Sequence, residues 1–203
     1  MTQSERIKYL TEPEILKLRQ IAESRAIVDL AHGRRTGVIE WLVIDIASSL
    51  GLRATELRSL RVGDVHLTNR SYLDVLTLKR RQRVLDQLPV EGQLRGHLKA
   101  YLQWKASAGE SLDASSSLLI SNKGHGFSLR GIEYLAKRLM ASTGLDPRFS
   151  IHSLRHTTAV HLLRKTKNLR LVQKVLRHAS IATTEQYGQV LESDMREGLA
   201  GLF

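Results

Sequence analysis

The sequence predicts an α+β fold that is mainly helical and carries one small sheet. Three observations lead there. Leu, Ala and Ile are dense and the 203 residues include three prolines, a composition that favours helices. Apolar residues recur at helical spacing along most of the chain. One stretch breaks that rhythm: Tyr72 to Leu78 and Val84 to Val90 alternate as strands do.

Thr11-Glu12-Pro13-Glu14 reads as a helix start, with Thr11 as cap, Pro13 in the first turn and Glu14 completing a capping box. Ile15, Leu18, Ile21 and Ala22 follow at helical spacing. A basic, glycine-containing break covers His32 to Gly37. Residues 38–50 are an apolar helix, buried on most sides and ended by Gly51. Ala54 to Leu60 is a short helix. The two alternating segments form a β-hairpin whose cationic turn is Lys79 to Arg83, K-R-R-Q-R. Residues 92–106 are helical, and Leu118 to Ser121 is a candidate third strand. Asn122 to Gly126 is a turn. Ser128 caps a helix that ends at Gly144, and helices follow at 152–165, 169–177, 181–187 and 189–200. No repeat, low-complexity segment or linker divides the chain, so 1–203 reads as one domain.

A hydrophobic content of 42% supports a real core. The absence of cysteine removes disulfides and thiolate metal sites and fits a reducing compartment. The polar start M-T-Q-S-E-R has no signal core, and no apolar run reaches the ~20 residues of a membrane span; a cytoplasmic protein is expected. The net charge is +11, which suits a polyanionic partner. From Arg148 through His178 there are eight Lys or Arg, four His and no carboxylate. Such charge can simply be a solvated face, but an acid-free run of this length suits the neutralisation of backbone phosphates. Arg80, Arg81, Arg83, Arg148, Lys174 and Arg177 are the candidate backbone contacts.

Within this basic surround stand Arg53, His152, Arg155, His178 and Tyr187. Attack on a phosphodiester builds negative charge on its non-bridging oxygens. Arginine's planar fork suits that charge, and two forks can clamp it. His152 and Arg155 are three apart and share a helix face. Tyr187, with a free pKa of ~10, needs cationic neighbours to act as a nucleophile. Singly, each residue also has a structural explanation. His152 and His156 have the i,i+4 spacing of helical zinc sites. With no cysteine, no nearby carboxylate and Arg155 beside them, no metal is expected there; His156 and His161 read as packing or hydrogen-bonding residues. Residues 38–60 resemble a helix-turn-helix in outline. Their first helix is too apolar for that role, and Glu56 sits awkwardly near phosphates.

These motifs together resemble the tyrosine recombinases, the phage-integrase and Xer-type family. Arg53 in G-L-R-A-T-E-L resembles the first arginine motif. H-S-L-R-H, His152 to His156, resembles the H-x-x-R motif, and Leu176 to Tyr187 resembles the segment that ends at the nucleophile. The intervals and order agree, over about residues 11 to 195. The resemblance implies the family's catalytic-domain fold and a 3′-phosphotyrosyl intermediate formed by Tyr187. Arg53 and Arg155 would hold the phosphate, Lys79 on the hairpin would protonate the leaving oxygen, His152 would assist proton transfer with the tyrosine, and His178 would hydrogen-bond the phosphate. Neither metal nor nucleotide cofactor is implied. Glu56 would have a structural role near Arg53. Three departures stand out. Arg177 replaces the family's usual glycine, changing the turn or adding a phosphate contact. The hairpin turn also lacks glycine, leaving Arg80 and Arg81 as alternatives to Lys79. The family's N-terminal DNA-clamping domain has no counterpart in 1–203. The apolar end Leu199 to Phe203 packs on its own domain or docks on a neighbour. The expected assembly is a homotetramer on DNA, monomeric when free, associated with the nucleoid. A non-catalytic DNA-binding regulator and a type IB topoisomerase-like relaxing enzyme are the alternatives.

Overall fold

In the computed structural model the described residues are 7–79, 82–178, 180–188, 190, 196 and 199–200, with Leu78 and Lys79 described by backbone alone. They include eight α-helices, a short 3₁₀ turn at Val62–Asp64 and one sheet. The helices are α1 (Glu12–Ala31), α2 (Thr36–Leu50), α3 (Ala54–Ser59), α4 (Gly92–Ser107), α5 (Leu129–Ser142), α6 (Ile151–Thr166), α7 (Leu169–Leu176) and α8 (Ala182–Glu185). The strands β1 (Val65–His66), β2 (Tyr72–Lys79) and β3 (Gln82–Pro89) lie between α3 and α4 and pair antiparallel in the order β1-β2-β3. No helix among the described residues is long and apolar enough to cross a membrane.

The apolar helix α2 is the central post. Val38, Ile39, Leu42, Val43, Ile44 and Ile46 are all buried, and α1, α4, α5 and α6 pack around it. Gly37 permits the close approach of α1, since a Cβ there would lie 2.7 Å from the Arg25 carbonyl oxygen. The two acids of α2 are buried but paired. Glu40 meets Arg25 at 3.0 Å and also Arg138 of α5. Asp45 meets Arg19 of α1 at 2.6 Å and His97 of α4 at 2.7 Å. Buried carboxylates without such partners would be costly, so these pairs select how the helices dock. The start of α1 is the expected one: the Glu14 carboxylate accepts from the Thr11 backbone N–H and hydroxyl, both at 2.8 Å.

The sheet departs from expectation in two details. The strands run to Lys79 and Gln82, which pair with each other, so the turn is narrower than Lys79 to Arg83. Arg83 is exposed on the ribbon; a side chain pointing into water does not interrupt the ladder. Arg80 and Arg81 lie outside the described residues. The third strand is Val65–His66, not Leu118 to Ser121. The latter segment makes one isolated bridge, Ile120 to Gly126, and Ser117 just before it makes another with Arg61. The turn at 122–126 folds it back at once, with Ser121 N–H donating to the His125 carbonyl at 2.8 Å. Most of the expected helix at 189–200 also lies outside the described residues.

The main core joins α1 to α5 with β2 and the start of α6. A second apolar cluster is Ala159, Val160, Leu163, Val172, Leu176 and Tyr187. It is the floor on which the candidate site is built.

Candidate active site

Three helix ends and one helix face converge on this floor. Gly51 closes α2 in the left-handed conformation (φ 60°, ψ 36°), and a Cβ there would approach Leu176 Cδ2 to 2.6 Å. The chain then enters α3 with Arg53 as its N-cap. α6 presents His152, Arg155 and His156. α7 ends with Arg177 in the left-handed region, φ 56°, and His178 N–H donates back to the Gln173 carbonyl at 3.1 Å. This cap swings His178 inward, and α8 then delivers Tyr187.

Glu56 is the hub. It is 4% exposed. Its carboxylate accepts from the Arg53 backbone N–H at 2.8 Å, from Arg53 Nη1 at 2.8 Å and from Arg177 Nη2 at 2.7 Å. Thr77 of β2 donates its hydroxyl at 3.4 Å. Arg155 Nη1 stands 3.9 Å away and donates instead to the Gly51 carbonyl at 2.5 Å, while Nη2 donates to the Leu176 carbonyl. Burial pushes the Glu56 pKa up, but Arg177 and Arg53 outweigh it and hold the group below its usual value. Three guanidinium groups therefore surround one carboxylate. The surplus is positive, the condition an anion such as a phosphate would relieve. Burial and Arg53 bring Arg155 down to about 9, so it stays charged at neutral pH.

Tyr187 is 1% exposed. Burial raises its pKa, and Arg155 and Arg53 oppose that rise. Its hydroxyl lies 2.8 Å from His156 Nδ1. The His178 ring lies parallel to the tyrosine ring, with centroids 6.4 Å apart, and its Nδ1 is 2.8 Å from the Thr184 hydroxyl. Burial, then Arg155 and Arg53, push His178 down to about 4, so it is neutral at pH 7.

Arg53, Arg155, His178 and Tyr187 thus come together as their order suggested. His152 is exposed on α6; the histidine at the hydroxyl is His156, which the sequence assigned only to packing or hydrogen bonding. The i,i+4 pairing of the two was visible, but not which of them faces residue 187. His161 is engaged elsewhere, its Nε2–H donating to the Leu10 carbonyl at 3.0 Å. Lys79 ends β2, two residues after Thr77, so the strand runs beside Glu56.

Among the proposed DNA contacts, Arg83 and Lys174 are exposed. Arg148 is exposed too and grips Asp146, with Nε 2.9 Å and 3.0 Å from its two oxygens. Arg177 requires a correction. It is 3% exposed and engaged with Glu56, and Nη1 donates to the Val175 carbonyl at 2.6 Å. It turns inward because the left-handed backbone at φ 56° aims it under α3, where Glu56 needs a counter-charge.

The profile of the phage integrase family matches residues 8–193. Tyrosine recombinase XerD of Oceanobacillus iheyensis is 26% identical over 189 residues, which is 91% of this chain and 60% of that protein. Tyrosine recombinase XerC of Mycobacterium leprae is 28% identical over 191 residues, 93% of this chain and 63% of that protein. The chain thus spans less than two thirds of the length of these relatives. The crystal structure of XerA recombinase superposes with a TM-score of 0.73 at 26% identity, covering 95% of this chain and 64% of that one. XerH bound to palindromic difH superposes with a TM-score of 0.76 at 20% identity, covering 98% and 55%, a likeness of fold. Fold, site geometry and the match over residues 8–193 agree, and the chain belongs to the phage integrase family.

Proposed function

We propose that this chain is the catalytic part of a site-specific recombinase, cleaving and rejoining double-stranded DNA through a 3′-phosphotyrosyl link. The observation that carries the reading is the Tyr187 hydroxyl, held 2.8 Å from His156 Nδ1, with Arg155 and Arg53 opposing the rise that burial gives its pKa. Tyr187 loses its proton as Oη forms a bond to phosphorus. The bond from phosphorus to the 5′ oxygen breaks, and that oxygen leaves as a hydroxyl after taking a proton from Lys79. Arg53 and Arg155 take the charge that grows on the non-bridging oxygens. Neutral His178 hydrogen-bonds the same phosphate, and exposed His152 meets it from α6. A free 5′-hydroxyl reverses the attack and releases the tyrosine. The link conserves the energy of the broken bond, so strands can be exchanged without net hydrolysis.

Similarity to proteins named tyrosine recombinases supports this reading, as does the shared fold with XerH bound to difH. We extend it to a homotetramer on DNA, monomeric when free and residing with the chromosome. Arg83, Arg148 and Lys174 would track the backbone, and Arg80 and Arg81 would extend that surface at the hairpin turn. The test is a nicked suicide duplex built from the DNA that flanks the gene. The wild type is expected to form a covalent adduct, and Tyr187→Phe none. Binding without an adduct would favour a DNA-binding regulator. Relaxation of supercoiled plasmid without sequence preference would favour a relaxing enzyme.

A further inference from the structure

We propose that His156 is a catalytic residue: it accepts the proton of Tyr187 as the phenol attacks, and returns it when the strand is rejoined. The proposal rests on the covalent-cleavage reading above and adds to it the fate of one proton.

The geometry singles out His156. Its Nδ1 is 2.8 Å from the Tyr187 hydroxyl, and the rings are tilted by 54° with centroids 5.8 Å apart. That arrangement points a ring nitrogen at the hydroxyl edge. With its proton on Nε2, the imidazole accepts from the phenol through Nδ1. The other histidines are less suited. His178 lies parallel to the tyrosine ring, at an interplanar angle of 8°, and its Nδ1 is engaged by Thr184. His152 is exposed.

The burial of Tyr187, at 1% exposure, makes an internal acceptor necessary. Bulk water does not reach a side chain packed among Val160, Leu163 and Leu176. His156 is half-buried, and burial, His152 and Arg155 lower its pKa below the ordinary value, so it is neutral and ready to accept at pH 7. A weak base of this kind is effective when proton transfer accompanies bond formation. The step balances. The Oη–H bond breaks and Nδ1–H forms, Oη bonds to phosphorus, and the 5′ oxygen departs with its electron pair and is protonated separately. The protonated imidazole stands among cations, and the arriving phosphate supplies the compensating negative charge.

The test compares wild type, His156→Leu and His156→Asn on the nicked suicide duplex, with DNA binding measured in parallel. Asparagine places a hydrogen-bonding atom near the position of Nδ1 but takes no proton, so it separates proton transfer from mere positioning if leucine perturbs folding. Both variants are expected to form adduct about 10²–10⁴-fold more slowly, with binding changed by no more than about twofold. A substrate with sulfur in place of the scissile 5′ oxygen provides a leaving group that needs no proton, and it is expected not to restore either variant. A wild-type rate in His156→Asn would overturn the proposal. So would rescue by the sulfur substrate, which would move His156 to the leaving-group side. A wild type that forms no adduct sinks both this proposal and the recombinase reading. An active wild type with equally active variants sinks this one alone.

Discussion

Arg177 offers the sharpest test of how the site is held together. Its side chain is fully buried, with Nη2 2.7 Å from the Glu56 carboxylate. Removing one partner of a buried ion pair typically costs ~3–5 kcal/mol, because the other charge is stranded. Glu56 would keep Arg53 at 2.8 Å and could draw Arg155 from 3.9 Å, so the lower end applies, about 3 kcal/mol for Arg177→Ala. Arg177 also holds a left-handed backbone, φ 56°, which costs an L-residue ~1–2 kcal/mol and glycine nothing. Alanine and glycine empty nearly the same space. Arg177→Gly should therefore be about 1 kcal/mol more stable than Arg177→Ala, the reverse of their usual order in a helix. Urea unfolding followed by the fluorescence of Trp41 and Trp104 measures both. At ~1–3 kcal/mol per molar urea, the alanine variant's midpoint falls by at least about 1 M. An alanine variant within about 0.5 kcal/mol of wild type, or one at least as stable as the glycine variant, would refute the argument.

Two further outcomes follow from the same geometry. The folded pKa of His178 is depressed to about 4, so its contribution to stability is full above the unfolded value of ~6.5 and is lost as pH falls toward 4. Glu56 is also depressed and adds a loss below its unfolded value. Thermal midpoints should fall on acidification from pH 7 to pH 4, and His178→Asn should flatten the upper part of that decline. The affinity for DNA should fall steeply with salt. Arg83→Ala and Lys174→Ala should each reduce the logarithmic salt slope by about one, whereas Arg177→Ala should leave it unchanged because its charge is spent on Glu56.

Local signals made most of the fold legible. Thr11 and Glu14 mark a helix start, Gly51 a helix end and Ser128 a cap, and each works through atoms a few residues away. The alternation of 72–78 with 84–90 was equally local, since a hairpin pairs neighbours in the chain. The third strand was missed because Val65–His66 is two residues long and pairs through its partner's register, not through a pattern of its own.

The sequence by itself determined the chemical kinds in the site and their order: two arginines, a late histidine and a tyrosine in a basic surround. The family resemblance implied a structural place for Glu56 near Arg53, and the structure puts its carboxylate on the Arg53 backbone N–H and on Nη1. Only the tertiary structure decided which histidine meets Tyr187 and which arginine is spent inside. His156 and Tyr187 are 31 residues apart, and Arg177 and Glu56 are 121 apart. Over such separations spacing fixes neither direction nor distance. Those are set by packing, where α6, α7 and α8 close on Val160, Leu163 and Leu176, and by the need of one buried carboxylate for a counter-charge.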